Sequence, residues 1–176
     1  MGRLVQVLGV VIIGYFGCLL HAQEIQIKVL NAHNGKPITD ECLNVSLGKW
    51  RGAELFLPTN REGVVVLHLQ GRQVTADAPS RACNVMAISG PKPLNSDPGV
   101  ISVIGDGYII CQEYGKIASG EPAPPPAERI PTYRISQILE SGVAGANTCG
   151  KARAEPKPGQ LVLFARQRTF WEKMKL

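Results

Sequence analysis

Few side chains in this chain could do chemistry, and none stands in a recognisable catalytic arrangement. Beyond residue 22, histidine occurs only at His33 and His68. His33 sits beside Asn34-Gly35, a strong turn signal. His68 lies between Leu67 and Leu69 in a run of strand-forming residues, so its side chain leaves on the face opposite to theirs. Neither belongs to H-E-x-x-H, and neither has a glutamate three residues later, so no zinc-peptidase pair is visible. No serine stands in G-x-S-x-G, and there is no G-x-x-x-x-G-K-[ST] phosphate loop. Gly105-Asp106-Gly107 lacks the spaced oxygen ligands of a calcium loop and reads instead as the tip of a hairpin. The expectation is no catalytic, metal-binding or cofactor-binding residue, and no cofactor.

Cysteine chemistry is more informative. Beyond residue 22 the cysteines are Cys42, Cys83, Cys111 and Cys149, and no two lie close enough for a C-x-x-C metal knuckle. An even number of well-separated cysteines reads as two disulfides, which takes them out of play as nucleophiles. Four cysteines allow three pairings. Cys42–Cys83 with Cys111–Cys149 is favoured because neither loop crosses the other. Each would close a loop of roughly 40 residues, a restraint of about 4 kcal/mol on the unfolded chain. That is a large part of a net stability of about 5–15 kcal/mol. Asn44-Val45-Ser46 matches a glycosylation acceptor, but it falls within an expected strand.

The first 22 residues read as an address. Arg3 is the only charge before Glu24, residues 4–20 are almost wholly apolar, and Leu20-His21-Ala22 offers a cleavage site. The same apolar run is just long enough for an uncleaved anchor, which would bring N-terminal membrane contact. Lipidation at Cys18 is a third reading, with Tyr15 in place of the usual aliphatic residue. The whole chain of 176 residues carries a formal charge of +5. That charge is concentrated late: Lys151, Arg153, Lys157, Arg166, Arg168, Lys173 and Lys175 face only Glu155 and Glu172. A cationic end of this kind suits anionic lipid or polysaccharide, or is simply a solvated face. Export and the lack of any binding motif argue against nucleic acid.

The scaffold for these residues reads as strands. With 19 glycines and 13 prolines the chain is too rich in turn residues for a helical bundle. Ile25, Ile27 and Val29 alternate with polar residues, as do Leu43, Val45 and Leu47. Residues 54–57 form a short run that stops at Pro58, and 64–69 are strongly strand-forming. A turn is expected around Trp50 and Gly52, and a strand from Cys83 to residue 88. Pro91, Pro93 and Pro98 mark a loop. Residues 100–104 and 108–111 pair as a hairpin around Gly105-Asp106-Gly107, which would supply positive φ angles. Residues 121–127 are an extended polyproline-like stretch. Residues 136–141 read as a short helix capped by Ser136 and closed by Gly142. Residues 160–165 form a last strand, and 169–175 a terminal helical turn. Many short strands with turns every eight to twelve residues predict an all-β, antiparallel β-sandwich.

The stretch Ile25-Gln-Ile-Lys-Val-Leu-Asn-Ala-His-Asn-Gly-Lys-Pro-Ile38 resembles the opening of carboxypeptidase regulatory-like domains. In that family a strand runs into a Gly-Lys-Pro-Ile turn and a second strand follows, here at residues 42–47. The family then places a Thr-Asp-x-x-Gly turn before another strand. This chain has Thr59-Asn-Arg-Glu-Gly63, with Asn60 in place of Asp. The resemblance covers about residues 24–70 and implies a transthyretin-like, seven-stranded sandwich. Such domains assist folding, adhesion or binding, and the family supplies no catalytic residue to carry over. On that division residues 23–111 form the sandwich core, and 112–176 add the proline-rich loop, short helix, last strand and basic tail. Asn147-Thr-Cys-Gly150, Pro158-Gly-Gln-Leu-Val-Leu-Phe164 and Trp171-Glu-Lys-Met174 are also similar to the tails of exported bacterial proteins. The expected function is an exported, non-catalytic module binding an envelope protein or polysaccharide. A membrane-tethered subunit, and a hydrolase or peptidase accessory with a site assembled only on folding, are the alternatives.

Overall fold

A computed structural model describes residues 23–48, 53–77, 83, 92–94, 99–113 and 130–174. The expected leader, the turn around Trp50, the strand beyond Cys83 and the polyproline-like stretch lie outside the described residues. The elements, in chain order, are β1 (Gln23–Asn31), β2 (Cys42–Leu47), β3 (Ala53–Pro58), β4 (Val64–Gln70), β5 (Gln73–Asp77), β6 (Lys92–Pro93), β7 (Val100–Gly105), β8 (Tyr108–Ile110) and β9 (Tyr133–Arg134). They are followed by α1 (Ile135–Ser141), β10 (Val143–Ala144), β11 (Gln160–Gln167) and α2 (Phe170–Lys173).

The strands form two layers. One sheet runs β10-β11-β1-β4-β5-β6, with β8 also pairing β11; the other runs β3-β2-β7-β9. The alternating pattern explains which faces meet. Ile25, Ile27 and Val29 of β1, Val65, Leu67 and Leu69 of β4, and Leu161 and Leu163 of β11 point inward from one layer. Leu43, Val45 and Leu47 of β2, with Ile101 and Val103 of β7, answer from the other. The chain is an all-β sandwich.

One sheet is mixed rather than purely antiparallel. β1 pairs antiparallel with β4 on one side and parallel with β11 on the other, in the register Ile27 to Leu161 and Val29 to Leu163. A strand from late in the chain therefore lies beside the first strand, in the body of the sheet. Ile135, Ile138, Leu161, Leu163 and Ala165 are part of the main core itself.

The expected hairpin at residues 100–111 is a corner instead. β7 pairs with β2 in one sheet, and β8 pairs with β11 in the other. Gly105 and Gly107 are not among the glycines with positive φ. They are needed for space: a Cβ on Gly105 would meet the Tyr108 carbonyl oxygen at 2.6 Å, and one on Gly107 the Glu41 Oε2 at 2.9 Å. Two further readings change. Ser136 does not cap α1; Arg134 occupies the cap position without a side-chain hydrogen bond, and burial of Ile135 and Ile138 holds the helix down. Pro93, expected in a loop, belongs to the two-residue edge strand β6, where β5 is its partner. Gly142 does close α1, with φ 74° and its N–H donating to the Ile138 carbonyl.

Candidate functional site

Two disulfides lie at the margins of the sandwich. Cys42, at the start of β2, is bonded to Cys83, and Cys111, just after β8, is bonded to Cys149. This is the pairing in which neither loop crosses the other. Disulfides of this kind form and persist in oxidising compartments.

The Cys149 bridge anchors a segment that covers the outer face of the β1/β11 sheet. β11 is buried on both faces: Val162 and Phe164 point away from the main core and pack with Leu30, Ala32 and Cys111 in a second cluster, joined by Cys149, Ala152 and Ala154. The covering segment is held by backbone bonds. Gly145 N–H donates to the Val162 carbonyl at 2.8 Å, and Ala152 N–H to the Ala32 carbonyl at 3.0 Å. Asn147 is its hub. Its Nδ2 donates to the carbonyls of Ala32 and Ala152, and its Oδ1 accepts from the N–H groups of Cys149 and Gly150. Gly150 lies so close to Ala32 that a Cβ would collide with the Ala32 carbonyl. From Gly150 onward the chain alternates: Ala152, Ala154 and Pro156 are half-buried while Lys151, Arg153, Glu155 and Lys157 are exposed.

This cover leaves a shallow, open depression of about 660 Å³. Ala144, Gly145, Asn147 and Phe164 line it with the 150–154 stretch, which adds the charges of Lys151 and Arg153. It holds no carboxylate, histidine or free thiol. Chemically it offers two cations over an apolar floor, suited to an anionic group on an amphipathic partner.

A second polar centre sits at the sheet-switching corner. Glu41, just before β2, is 5% exposed. Its Oε1 accepts hydrogen bonds from the N–H groups of Gly107 at 2.8 Å and Tyr108 at 2.9 Å. Burial raises its pKa above the ordinary carboxylate value and, with help from nearby Asp106, outweighs the backbone donors that lower it. The neighbouring backbone is tied by Thr59, whose hydroxyl donates to the Ile38 carbonyl and accepts from the Glu41 N–H. Gln112, also buried, accepts from the Tyr133 hydroxyl at 3.0 Å. These groups join turns to strands; each has its polar partners within the fold.

The histidines do not converge. His33 is exposed in the turn after β1, where its backbone N–H donates to Asn31 Oδ1. His68 points outward from β4, and its Nε2 lies 3.2 Å from Asp77 Oδ2 on β5. Among the described residues no three His, Cys, Asp or Glu side chains gather where a metal could sit. No helix among them is long and apolar enough to cross a membrane.

No protein-family model matches this chain, and no curated protein or solved structure matches it either.

Two features carried weaker signals in the sequence. Asp40-Glu41 looks like part of a solvated connection, and only the glycines on either side of Asp106 hint at a close neighbour. The cover at residues 145–157 has no strand pattern of its own. Its sign is the unbroken apolar run Leu161-Val-Leu-Phe-Ala165, which needs partners on both faces.

Proposed function

We propose that this chain is an exported, non-catalytic β-sandwich module of the carboxypeptidase regulatory-like, transthyretin-like kind, which binds an acidic polysaccharide or protein of the cell envelope. The observation that carries the binding reading is the cationic depression of Lys151 and Arg153, built on a cover fixed by the Cys111–Cys149 bridge, the Asn147 hub and an obligatory Gly150. A ligand meets a surface that is already ordered, which lowers the entropic cost of binding.

The family reading is supported by what the two resembling turns do. The Gly35-Lys-Pro-Ile38 turn follows β1, and the Thr59–Gly63 turn precedes β4, in the order the family uses. They also touch: Val29 N–H donates to the Gly63 carbonyl, Ile38 N–H donates to the Val29 carbonyl, and a Cβ on Gly63 would meet Pro37 at 3.0 Å. Gly63 has φ 70°, the left-handed region where a side chain is strained. Export is supported by the disulfides and by the apolar leader that precedes Gln23.

The test is retention of the chain from Gln23 onward on an acidic polysaccharide, polygalacturonate, at rising salt. Retention that falls with salt and is lost in Lys151→Glu/Arg153→Glu supports the reading. Equal retention of that variant, or hydrolytic turnover that survives rigorous purification, overturns it. Mass measurement of the exported chain separates a secreted module from a tethered one, since retention of residues 1–22 means an anchor.

A further inference from the structure

The end of the chain displays an apolar surface that the fold holds in place. Phe170, Trp171 and Met174 are 68%, 71% and 66% exposed, whereas Phe164 of β11 is 3% exposed. Positions 170 and 174 are one helical turn apart and 171 lies between them, so the three side chains form one patch. The Phe170 and Trp171 rings meet edge to face, 5.6 Å apart.

A four-residue helix does not form on its own, because nucleation costs more than so few hydrogen bonds return. Here α2 is fixed from both ends of one acidic side chain. Thr169 caps it through Glu172 N–H, and Glu172 reaches back to the Thr169 N–H at 2.8 Å, a complete capping box. The same carboxylate takes a two-pronged ion pair from Arg166 of β11, at 2.7 and 2.9 Å. Arg166 stands in the register opposite Ile109 of β8, so the turn is pinned to the sheet itself.

The sequence around the patch is cationic. With Arg166 and Glu172 neutralising each other, residues 166–175 still carry Arg168, Lys173 and Lys175 and no other acid. Exposed aromatic and thioether side chains in a stretch rich in lysine and arginine match the boundary of an anionic bilayer, where rings sit among headgroups and cations meet phosphates.

We propose that the Phe170–Trp171–Met174 turn docks on an anionic lipid surface. The inference rests on the export reading only for where the chain would meet such a surface. The vesicle experiment is independent of that reading and of the polysaccharide test, since it reads Trp171 itself and its substitutions lie in the turn, its flanking cations and Arg166, none of which lines the depression.

The experiment uses the chain from Gln23 onward, which contains every described strand and both disulfides, in a Trp50→Phe background that leaves Trp171 as the only tryptophan. It is mixed with vesicles of phosphatidylcholine, or of phosphatidylcholine with phosphatidylglycerol. The expected result is a blue shift of Trp171 emission on the anionic vesicles, weakened by salt. Phe170→Ser/Met174→Ser should weaken partitioning on the order of 30-fold, and each cation removed by about fivefold. Arg166→Gln, which frees the turn from β11, should weaken partitioning while leaving the unfolding transition nearly in place. Unchanged Trp171 emission on anionic vesicles overturns the proposal. So does equal binding by the double serine variant. A dimer in sedimentation that forms without lipid and is lost on Trp171→Ala would assign the patch to a second copy and overturn it as well.

Discussion

Glu41→Ala should loosen the corner where the chain passes from one sheet to the other. The buried carboxylate is the acceptor for the N–H groups of Gly107 and Tyr108. Hydrogen bonds to a charged acceptor contribute about 1.5–3 kcal/mol each when well buried. Both bonds here are part-buried, so water can replace some of each, and removing the carboxylate also relieves the cost of burying its charge. The net loss expected at neutral pH is about 2 kcal/mol, or roughly 4–8 °C in Tm for a chain of this size. Glu41→Gln adds a pH signature. The folded state raises the Glu41 pKa, so the fold holds that proton more tightly than the unfolded chain does. The contribution of this group to stability is therefore fully present below the ordinary carboxylate pKa and is lost as pH rises through the raised value. Urea unfolding from acid to neutral pH should show the wild type losing stability relative to Glu41→Gln over that window. A double cycle with Gly107→Ala sharpens the test, because the new Cβ would press on Glu41 Oε2. The two alanine substitutions should cost less together than their sum. Additive losses, or a wild type that gains on Glu41→Gln as pH rises, would refute this account of the corner.

Other expectations follow from the same contacts. Replacing Cys111 and Cys149 by serine opens a loop with a sequence separation of 38 and should cost about 4 kcal/mol in urea unfolding under oxidising conditions. Hydrogen exchange should place the loss of protection at the 145–157 cover before β1. Gly150→Ala drives a Cβ into the Ala32 carbonyl and should destabilise by about 3 kcal/mol or more, whereas Gly71→Ala, with open space around it, should show only the strain of its positive φ. The Arg166–Glu172 pair should outlast ordinary surface pairs in acid. The Arg166 guanidinium, then the Thr169 donors, hold the Glu172 carboxyl well below the usual carboxylate range. Its contribution is present above the unfolded pKa and disappears only as pH falls through the depressed value, so carboxyl NMR shifts of Glu172 should stay those of the ion to unusually low pH.

The parts of this fold that were legible in the sequence are those decided by near neighbours. β1, β2 and β4 alternate because one face is buried and the other wet, and that pattern needs no knowledge of the partner strand. Asn34-Gly35, Asn60-Arg-Glu-Gly63 and Pro158-Gly159 mark turns by local backbone preference alone. The Gly105-Asp106-Gly107 corner was misread because a hairpin tip and a change of sheet look alike over six residues. What separates them is that β7 finds β2 and β8 finds β11, both remote in sequence. β5 escaped notice because only Val74 among its residues is fully buried, so the alternation is too short to register. The capping box at Thr169 and Glu172 is a local signal, carried by the Thr-x-x-Glu spacing, that the expected helical turn at 169–175 did not include.

The parallel pairing of β1 with β11 explains why the candidate surfaces gather late in the chain. β1 cannot have its second neighbour until residues 160–165 are in place. Once there, β11 is buried on both faces and needs a cover, which the 145–157 segment supplies and the Cys149 bridge holds. The same strand ends in Arg166, which pins α2 with its exposed rings. The cationic depression and the aromatic turn are thus both attached to one strand in the body of the sheet, through Phe164 and Arg166. A surface placed on a peripheral hairpin would need its own ordering on each encounter. Placed on β11, it draws its order from the whole core, so a cavity at Leu163 should loosen both surfaces together while leaving the Glu41 corner less affected.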